Sequence, residues 1–118
     1  MASHIDLGKK GELLAQEYLL RENYLLLHIN WRHGRREIDI IAMKSGCLVF
    51  FEVKTLAREL FGWPEQKVNT RKQRHLQSVA EAYMEQMTEL PKAIRFDIIS
   101  ITFKPDGTHE LLHMEDAF

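Results

Sequence analysis

The sequence predicts an α/β or α+β fold in which helices cover a central mixed β-sheet. Two stretches have apolar residues three and four positions apart, as amphipathic helices do, and five shorter apolar stretches are typical of strands. Their order along the chain is helix, three strands, helix, strand and strand. The length of 118 residues predicts one domain, residues 1–118, that needs neither a disulfide nor a structural metal to fold.

The first helix is predicted over residues 7–22, with Asp6 as its N-terminal cap. Gly8 and Gly11 weaken its first turn, and glycine there indicates either fraying or the close approach of another backbone. Glu12 follows Gly11 and projects from the same turn.

A hairpin is predicted next, in the stretch EIDIIAMKSGCLVFFEVK. A two-residue loop at its Ser-Gly turn, residues 45–46, pairs residues whose numbers sum to 91. That register lays Asp39 opposite Glu52 and Glu37 opposite Lys54, whereas a slip of one residue sends these side chains to opposite faces. In the first register, three carboxylates and one ammonium group converge on one patch, which we take as the candidate active site.

The remaining elements are a strand and a basic loop before the hairpin, and an irregular loop, a long helix and two strands after it. The first strand covers residues 24–29 and the basic loop covers 30–36. After the hairpin, the irregular loop covers 55–68, the long helix 70–89, and the two strands 94–103 and 111–114. Asp97, on the strand after the long helix, is expected to bond the hairpin or a basic residue rather than to catalyse, and His113 is assigned no role.

The charge is unevenly distributed although the net charge is only −1. Residues 30–75 hold ten Lys/Arg against five Asp/Glu, while the rest of the chain holds six against twelve. This asymmetry predicts a face that attracts phosphate, with an ordinary mixed surface as the alternative. The candidate nucleic-acid-binding residues are Arg32, Arg35, Arg36, Lys67, Arg71 and Lys72.

The chain carries a single cysteine, Cys47, which cannot form an internal disulfide, so a reducing, cytoplasmic setting is expected. The longest apolar run, residues 47–51, is far too short to span a membrane, and no apolar signal core is present at the N-terminus. No membrane partner is therefore expected.

The hairpin residues suit metal-assisted phosphodiester hydrolysis. Asp39 and Glu52 are hard oxygen ligands that adjacent strands would hold at a distance where Mg²⁺ or Mn²⁺ can bridge them, and the Val53 carbonyl offers a backbone ligand. Lys54 shares a face with Glu52 and can stabilise developing charge. The alternative is a solvent-facing hairpin with a cross-strand pair between Glu37 and Lys54, worth about 0.2–1 kcal/mol.

The triplet Glu-x-Lys is not informative alone, since a second copy, residues 65–67, lies in a loop with no partner acid. A wider set of residues carries a family resemblance. It consists of Gly8, Gly11-Glu12, Asn30, Glu37-Ile38-Asp39, Phe51-Glu52-Val53-Lys54, Gly62, Pro64, Val68, Lys72 and Arg95-Phe96-Asp97. Through these residues the chain resembles the YraN-like family of small bacterial proteins, itself similar to archaeal Holliday-junction resolvases within the PD-(D/E)xK restriction-endonuclease-like superfamily.

The resemblance implies a restriction-endonuclease-like α/β fold with a central mixed sheet flanked by helices. It implies a catalytic core of Asp39, Glu52 and Lys54, with Glu12 as an auxiliary metal ligand and Glu37 as a weaker candidate. The implied activity is Mg²⁺- or Mn²⁺-dependent endonucleolytic hydrolysis of branched or structured DNA, with a homodimer by analogy. The alternatives are a noncatalytic nucleic-acid-binding module that retains the fold and, less favoured, a protein-interaction subunit.

Overall fold

The computed structural model describes residues 4–57 and 70–118, without the side chains of residues 4 and 5. The described part of the chain forms two helices and five strands in the predicted order α-β-β-β-α-β-β. The elements are α1 (His4–Arg21), β1 (Leu25–His33), β2 (Arg36–Lys44), β3 (Cys47–Ala57), α2 (Thr70–Met84), β4 (Ala93–Phe103) and β5 (His109–Met114).

The five strands form one mixed sheet in the order β1-β2-β3-β4-β5. β3 and β4 are parallel, whereas the other neighbours are antiparallel. A parallel pair requires a long crossover, and the connection between β3 and β4 contains α2. The predicted α/β class with a central mixed sheet is therefore confirmed.

The two helices cover opposite faces of the sheet. Successive residues of β3 point in opposite directions, so Phe50 packs in a cluster with α2 and Phe51 in a cluster with α1. Both rings are almost fully buried. Among the described residues, no helix is long and apolar enough to cross a membrane.

The hairpin has the predicted turn and register. Ser45 and Gly46 both have positive φ angles, 52° and 79°, as a two-residue type I′ turn requires. From this turn to Ile40 opposite Phe51, β2 and β3 pair residues whose numbers sum to 91. Regular pairing stops there, one residue before Asp39.

The predicted basic loop over residues 30–36 is wrong, because β1 continues to His33 and only a tight turn separates it from β2. The strand passes through a left-handed residue, Asn30, with a φ of 53°. Asn30 is skipped in the pairing, which resumes in the same register at Trp31 opposite Ile38. The loop prediction failed because a basic composition does not exclude an edge strand whose side chains face solvent.

Three other boundaries differ from the predictions. Asp6 lies in the first turn of α1 and is not its cap, so its negative charge interacts favourably with the helix dipole instead. α2 ends at Met84, since the amide groups of Gln86 and Met87 bond three residues back and tighten the last turn. The first part of the predicted loop, residues 55–57, continues β3. The rest of that loop lies outside the described residues.

Candidate functional site

Asp39 lies where β2 and β3 cease to pair. Its Oδ2 atom accepts a hydrogen bond of 2.8 Å from the Val53 backbone N–H. Ile38 and Ile41 both pack in the α2 cluster although they are three residues apart, so the alternation of β2 is interrupted around Asp39. A carboxylate thus takes the place of a carbonyl acceptor from the neighbouring strand.

Glu52 lies on the adjacent strand and is 8% exposed. It follows Phe50 by two residues and therefore faces α2. Its Oε1 atom forms an ion pair with Nζ of Lys72, which α2 contributes. The sequence placed Lys72 among the nucleic-acid contacts, and the contact with Glu52 was not foreseen because it joins residues from elements that are distant along the chain.

The two carboxyl groups are coupled electrostatically. Burial raises the pKa of Asp39 first, and the charge of Glu52 raises it further, while the hydrogen bond from Val53 opposes both. The charges of Glu12 and Glu37 also raise this pKa, and the result is a value of about 7. Four acidic groups therefore act on one small region, and a bound cation would relieve their repulsion.

Gly11 explains how Glu12 comes near this region. A Cβ atom at Gly11 would lie 2.2 Å from Oγ1 of Thr55, so only glycine lets α1 sit this closely on β3. Of the two explanations that the sequence left open for this glycine, close approach is the one that the structure shows. The next residue, Glu12, is half-buried and its charge acts on Asp39.

Lys54 and Glu37 occupy different parts of the site. Lys54 is half-buried on β3, two residues beyond Glu52 and so on the same face. Glu37 is joined to β1 by an ion pair with Arg32, with 3.0 Å between Oε2 and Nε. The predicted placement of Glu37 opposite Lys54 falls beyond the segment in which β2 and β3 pair.

The donor set fits a hard divalent cation. Asp39 and Glu52 offer carboxylate oxygens from adjacent strands, and a cation bound between them would offset their mutual repulsion. Among the described residues, Glu12 does not join them in a group of three whose ligand atoms lie within 4.8 Å of one another. The roles of Asp39 and Glu52 as metal ligands stay predictions, as do those of Glu12, Glu37 and the Val53 carbonyl.

A second cluster meets that distance criterion but is already neutralised. Oxygen and nitrogen atoms of Asp97, His113 and Glu115 lie within 4.8 Å of one another. Arg95, however, donates to both oxygens of Asp97, through Nε and Nη2 at 2.8 Å each. The Asp116 amide and the His113 ring also bond this carboxylate, at 2.9 and 2.7 Å. Each oxygen of Asp97 thus has two partners, and this carboxylate is satisfied without a metal.

The Asp97 network is structural. Burial alone would raise the pKa of Asp97, but the hydrogen bonds from His113, Arg95 and the Asp116 amide outweigh it, and the pKa is lowered. The other ring nitrogen of His113 lies 2.7 Å from the Tyr18 hydroxyl of α1. The expected bond between Asp97 and a basic residue is confirmed. The contribution of His113 was missed because its strand looks solvent-exposed in the sequence.

Several candidate nucleic-acid contacts come together beside the acidic site. Arg36 starts β2 and Arg71 belongs to the first turn of α2. Slight desolvation and then the charges of these two arginines lower the pKa of His75, so both arginines lie near this histidine. Arg35 is exposed in the turn between β1 and β2. Lys67 lies outside the described residues.

Comparisons with known proteins place the chain among bacterial relatives. The model of the uncharacterised protein family UPF0102 matches residues 11–101. UPF0102 proteins of Bacteroides thetaiotaomicron and Christiangramia forsetii are 41% and 42% identical to it over 118 residues. Each alignment covers 100% of this chain, and 96% and 98% of the respective relative.

Among solved structures, that of Pyrococcus furiosus SfsA in complex with Ca²⁺ aligns with a TM-score of 0.40 at 14% identity. The alignment covers 92% of this chain and 62% of that one. A likeness of this size carries no argument about fold or function.

Proposed function

The chain belongs to the uncharacterised protein family UPF0102, the YraN-like family, and we propose that it is a Mg²⁺- or Mn²⁺-dependent endonuclease acting on branched or structured DNA. The observation that carries the proposal is the meeting of Asp39 and Glu52 at the point where β2 and β3 part, with Lys54 two residues beyond Glu52. The close approach of two acidic groups that repel each other is better explained by cation binding than by a contribution to the stability of the fold.

Asp39 and Glu52 would hold the cation through their carboxylate oxygens. When bound, the cation supplies Lewis acidity toward a phosphate oxygen and lowers the pKa of a bound water. Asp39 must be ionised to bind, and with a pKa of about 7 it reaches that state near neutral pH. The hydrogen bond from the Val53 amide would keep the ionised Asp39 carboxylate in a fixed orientation.

Two lysines support the reaction from opposite elements. Lys54, on the face of Glu52, would donate to a phosphate oxygen and stabilise the charge that develops there. Lys72 neutralises Glu52 from α2, and it would pair with a substrate phosphate if a cation took its place at Glu52. Hydrolysis in this site needs no covalent intermediate, since water is the nucleophile.

The basic surface would hold the DNA backbone. Arg36, Arg71 and His75 share one surface at the first turns of α2, which also provides Lys72. Arg32 is largely exposed although it pairs with Glu37, and Arg35 is exposed nearby. Contacts of this kind position a duplex or junction without reading its sequence. Lys67 is proposed to belong to the same set.

The proposal is tested by incubating the protein with linear, single-stranded, flapped and four-way DNA in Mg²⁺ or Mn²⁺. We expect metal-dependent cleavage that is lost in Asp39→Ala and Lys54→Ala. The control variants are Asp106→Asn in the turn before β5 and Lys92→Ala near the hairpin turn, which should cleave as the wild type does. Cleavage that survives both site changes would contradict the site assignment.

A noncatalytic nucleic-acid-binding module is the second candidate. The ion pair between Lys72 and Glu52 favours it, because it neutralises one of the two central carboxylates without a metal. This alternative requires DNA affinity that falls steeply with salt, but neither metal binding by calorimetry nor a cleavage product.

A homodimer would present two such sites to two strands of one junction. Leu13 and Leu20 lie seven residues apart on the same side of α1 and are 59% and 57% exposed, so they offer an apolar surface for a second copy. Light scattering of the wild type and of Leu20→Lys tests this expectation, and a monomeric wild type would contradict it.

A further inference from the structure

We propose that a row of aromatic rings on the α2 side of β1, ending in a groove, binds unpaired bases of the nucleic acid. The inference rests on the proposed function and narrows its substrate to nucleic acid with a single-stranded part. Four rings form the row through contacts between neighbours. They are His28, Tyr83, Trp31 and His33.

An interruption of the regular alternation at Asn30 in β1 creates this row. In a regular strand, His28 would share its face with Asn30 and not with Trp31. The left-handed Asn30 reverses the alternation, so Trp31 joins His28 on the α2 side and contacts Tyr83 with ring centroids 5.2 Å apart. His33 then stacks parallel to Trp31, with an interplanar angle of 5°.

The outer rings of the row are open to solvent. His28 and His33 are exposed and Trp31 is half-buried, while Tyr83 anchors the row in the core. Aromatic faces of this kind stack on bases of any sequence, and each stacked base contributes about 1–3 kcal/mol to binding. Rings that served only to pack the hydrophobic core would not be exposed to solvent at both ends of the row.

Positive charge lies at one end of the row. His33 is the pairing partner of Arg36, and Arg36 shares its surface with Arg71 and His75. A strand whose phosphates contact these arginines would therefore direct its bases toward His33 and Trp31. Lys72, in the same first turn of α2 as Arg71, pairs with Glu52, so this positive end of the row lies near the acidic site.

The other end of the row opens into a groove of about 320 Å³. That volume is near the lower end of the range of about 300–1,000 Å³ for small-ligand pockets, as expected for a single base. The groove also offers hydrogen-bonding groups suited to a base edge, and its acid would accept from an amino group while repelling phosphate. Its lining residues are His28, Tyr83, Gln86, Met87, Thr88 and Glu89.

The first test measures binding without catalysis. Fluorescence anisotropy in EDTA compares a blunt duplex with the same duplex carrying an unpaired extension. We expect the extended duplex to bind about tenfold more tightly. The double variant His28→Ala/His33→Ala should lose this gain while binding the blunt duplex within about twofold of the wild type. His109→Ala, which removes an exposed histidine from β5 at the opposite edge of the sheet, should keep the gain.

Equal binding of the two duplexes by the wild type, or an unchanged preference in the double variant, would overturn the inference. The outcome is separable from that of the proposed function. Metal-dependent cleavage without this binding preference would contradict only the aromatic site. The binding preference without metal binding or cleavage would support the aromatic site and contradict the nuclease activity.

A second test observes the stacking directly. The chain has two tryptophans, so a Trp63→Phe variant leaves Trp31 as the sole indole. Adding oligothymidylate in EDTA should quench its fluorescence in parallel with the anisotropy change. Binding by anisotropy with unchanged Trp31 emission would place the bases elsewhere and overturn the proposal.

Discussion

Asp39 and Asp97 are both acids on strands of the same sheet, yet their surroundings act on them in opposite directions. Around Asp39, burial and the charge of Glu52 raise the pKa to about 7. Asp97 is fully buried, but His113, Arg95 and the Asp116 amide lower its pKa despite the burial. Asp97 therefore stabilises the fold at pH values above its ordinary pKa, whereas ionised Asp39 destabilises it. This contrast separates a structural carboxylate from a candidate functional one.

Asp39→Asn should stabilise the metal-free protein. Because the pKa of Asp39 is higher in the folded state than in the unfolded state, its contribution to the wild-type free energy of unfolding falls as pH rises from about 4 to 7 and is level above that range. Asparagine has no such dependence and can still accept from the Val53 amide. Urea unfolding in EDTA should show an advantage on the order of 2 kcal/mol at pH 8 that vanishes near pH 4.

The matched control for this change is Asp106→Asn, which removes an exposed turn carboxylate remote from Glu52. Mg²⁺ should stabilise the wild type at pH 8 and leave Asp39→Asn unaffected. An Asp39→Asn variant less stable than the wild type at pH 8 would show that the carboxylate serves the fold.

Lys72→Met tests two effects of that lysine, the stabilisation of Glu52 and the competition with a metal ion for Glu52. Without its ammonium group, buried Glu52 loses its cation, so we expect the metal-free protein to be destabilised by about 1–3 kcal/mol. Calorimetry should show tighter Mn²⁺ binding, since the metal no longer displaces an internal partner. Lys92→Ala is the control, with unchanged metal affinity. Weaker Mn²⁺ binding in Lys72→Met would contradict the competition between lysine and cation.

At the level of elements, the seating of α1 on β3 depends on Gly11. In Gly11→Ala the new methyl group would collide with Thr55, and the helix must shift at a cost of about 1–3 kcal/mol. Gly8→Ala is a matched control in the same helix, because nothing lies within 4 Å of its Cβ position. Gly8→Ala should instead stabilise by up to about 1 kcal/mol through helix propensity. Chemical denaturation of both variants gives the comparison.

Adding Thr55→Ala to Gly11→Ala should restore part of the lost stability, because it removes the nearest atom. Equal effects of the two glycine substitutions would show that α1 does not approach β3 this closely.

The hairpin was predictable from sequence because its determinants are local. A Ser-Gly turn selects a two-residue loop, and that loop fixes the register as far as Ile40 opposite Phe51, the residues next to Asp39 and Glu52. The Glu52 partner Lys72 was not predictable, since the fold of α2 over β3 decides it. The continuation of β1 was missed for a related reason, because its pairing with β2 overrides a composition typical of loops.

At the scale of the whole molecule, the distribution of charge matters more than its total of −1. We expect DNA affinity to fall linearly with salt on logarithmic axes, and the slope to decrease by about one for each phosphate contact removed. Arg36→Gln and Arg71→Gln should each reduce the slope in anisotropy titrations in EDTA. Lys92→Ala should leave it unchanged, and an affinity independent of salt would exclude nucleic acid as the partner.

The left-handed Asn30 has a further consequence for the outer edge of the sheet. β1 is an edge strand, and a straight edge strand presents unpaired backbone groups on which a strand of another molecule can add. The left-handed Asn30 interrupts this row of donors and acceptors in the middle of the strand. We therefore expect the residue that aligns the rings of β1 also to disfavour edge-to-edge association of the protein.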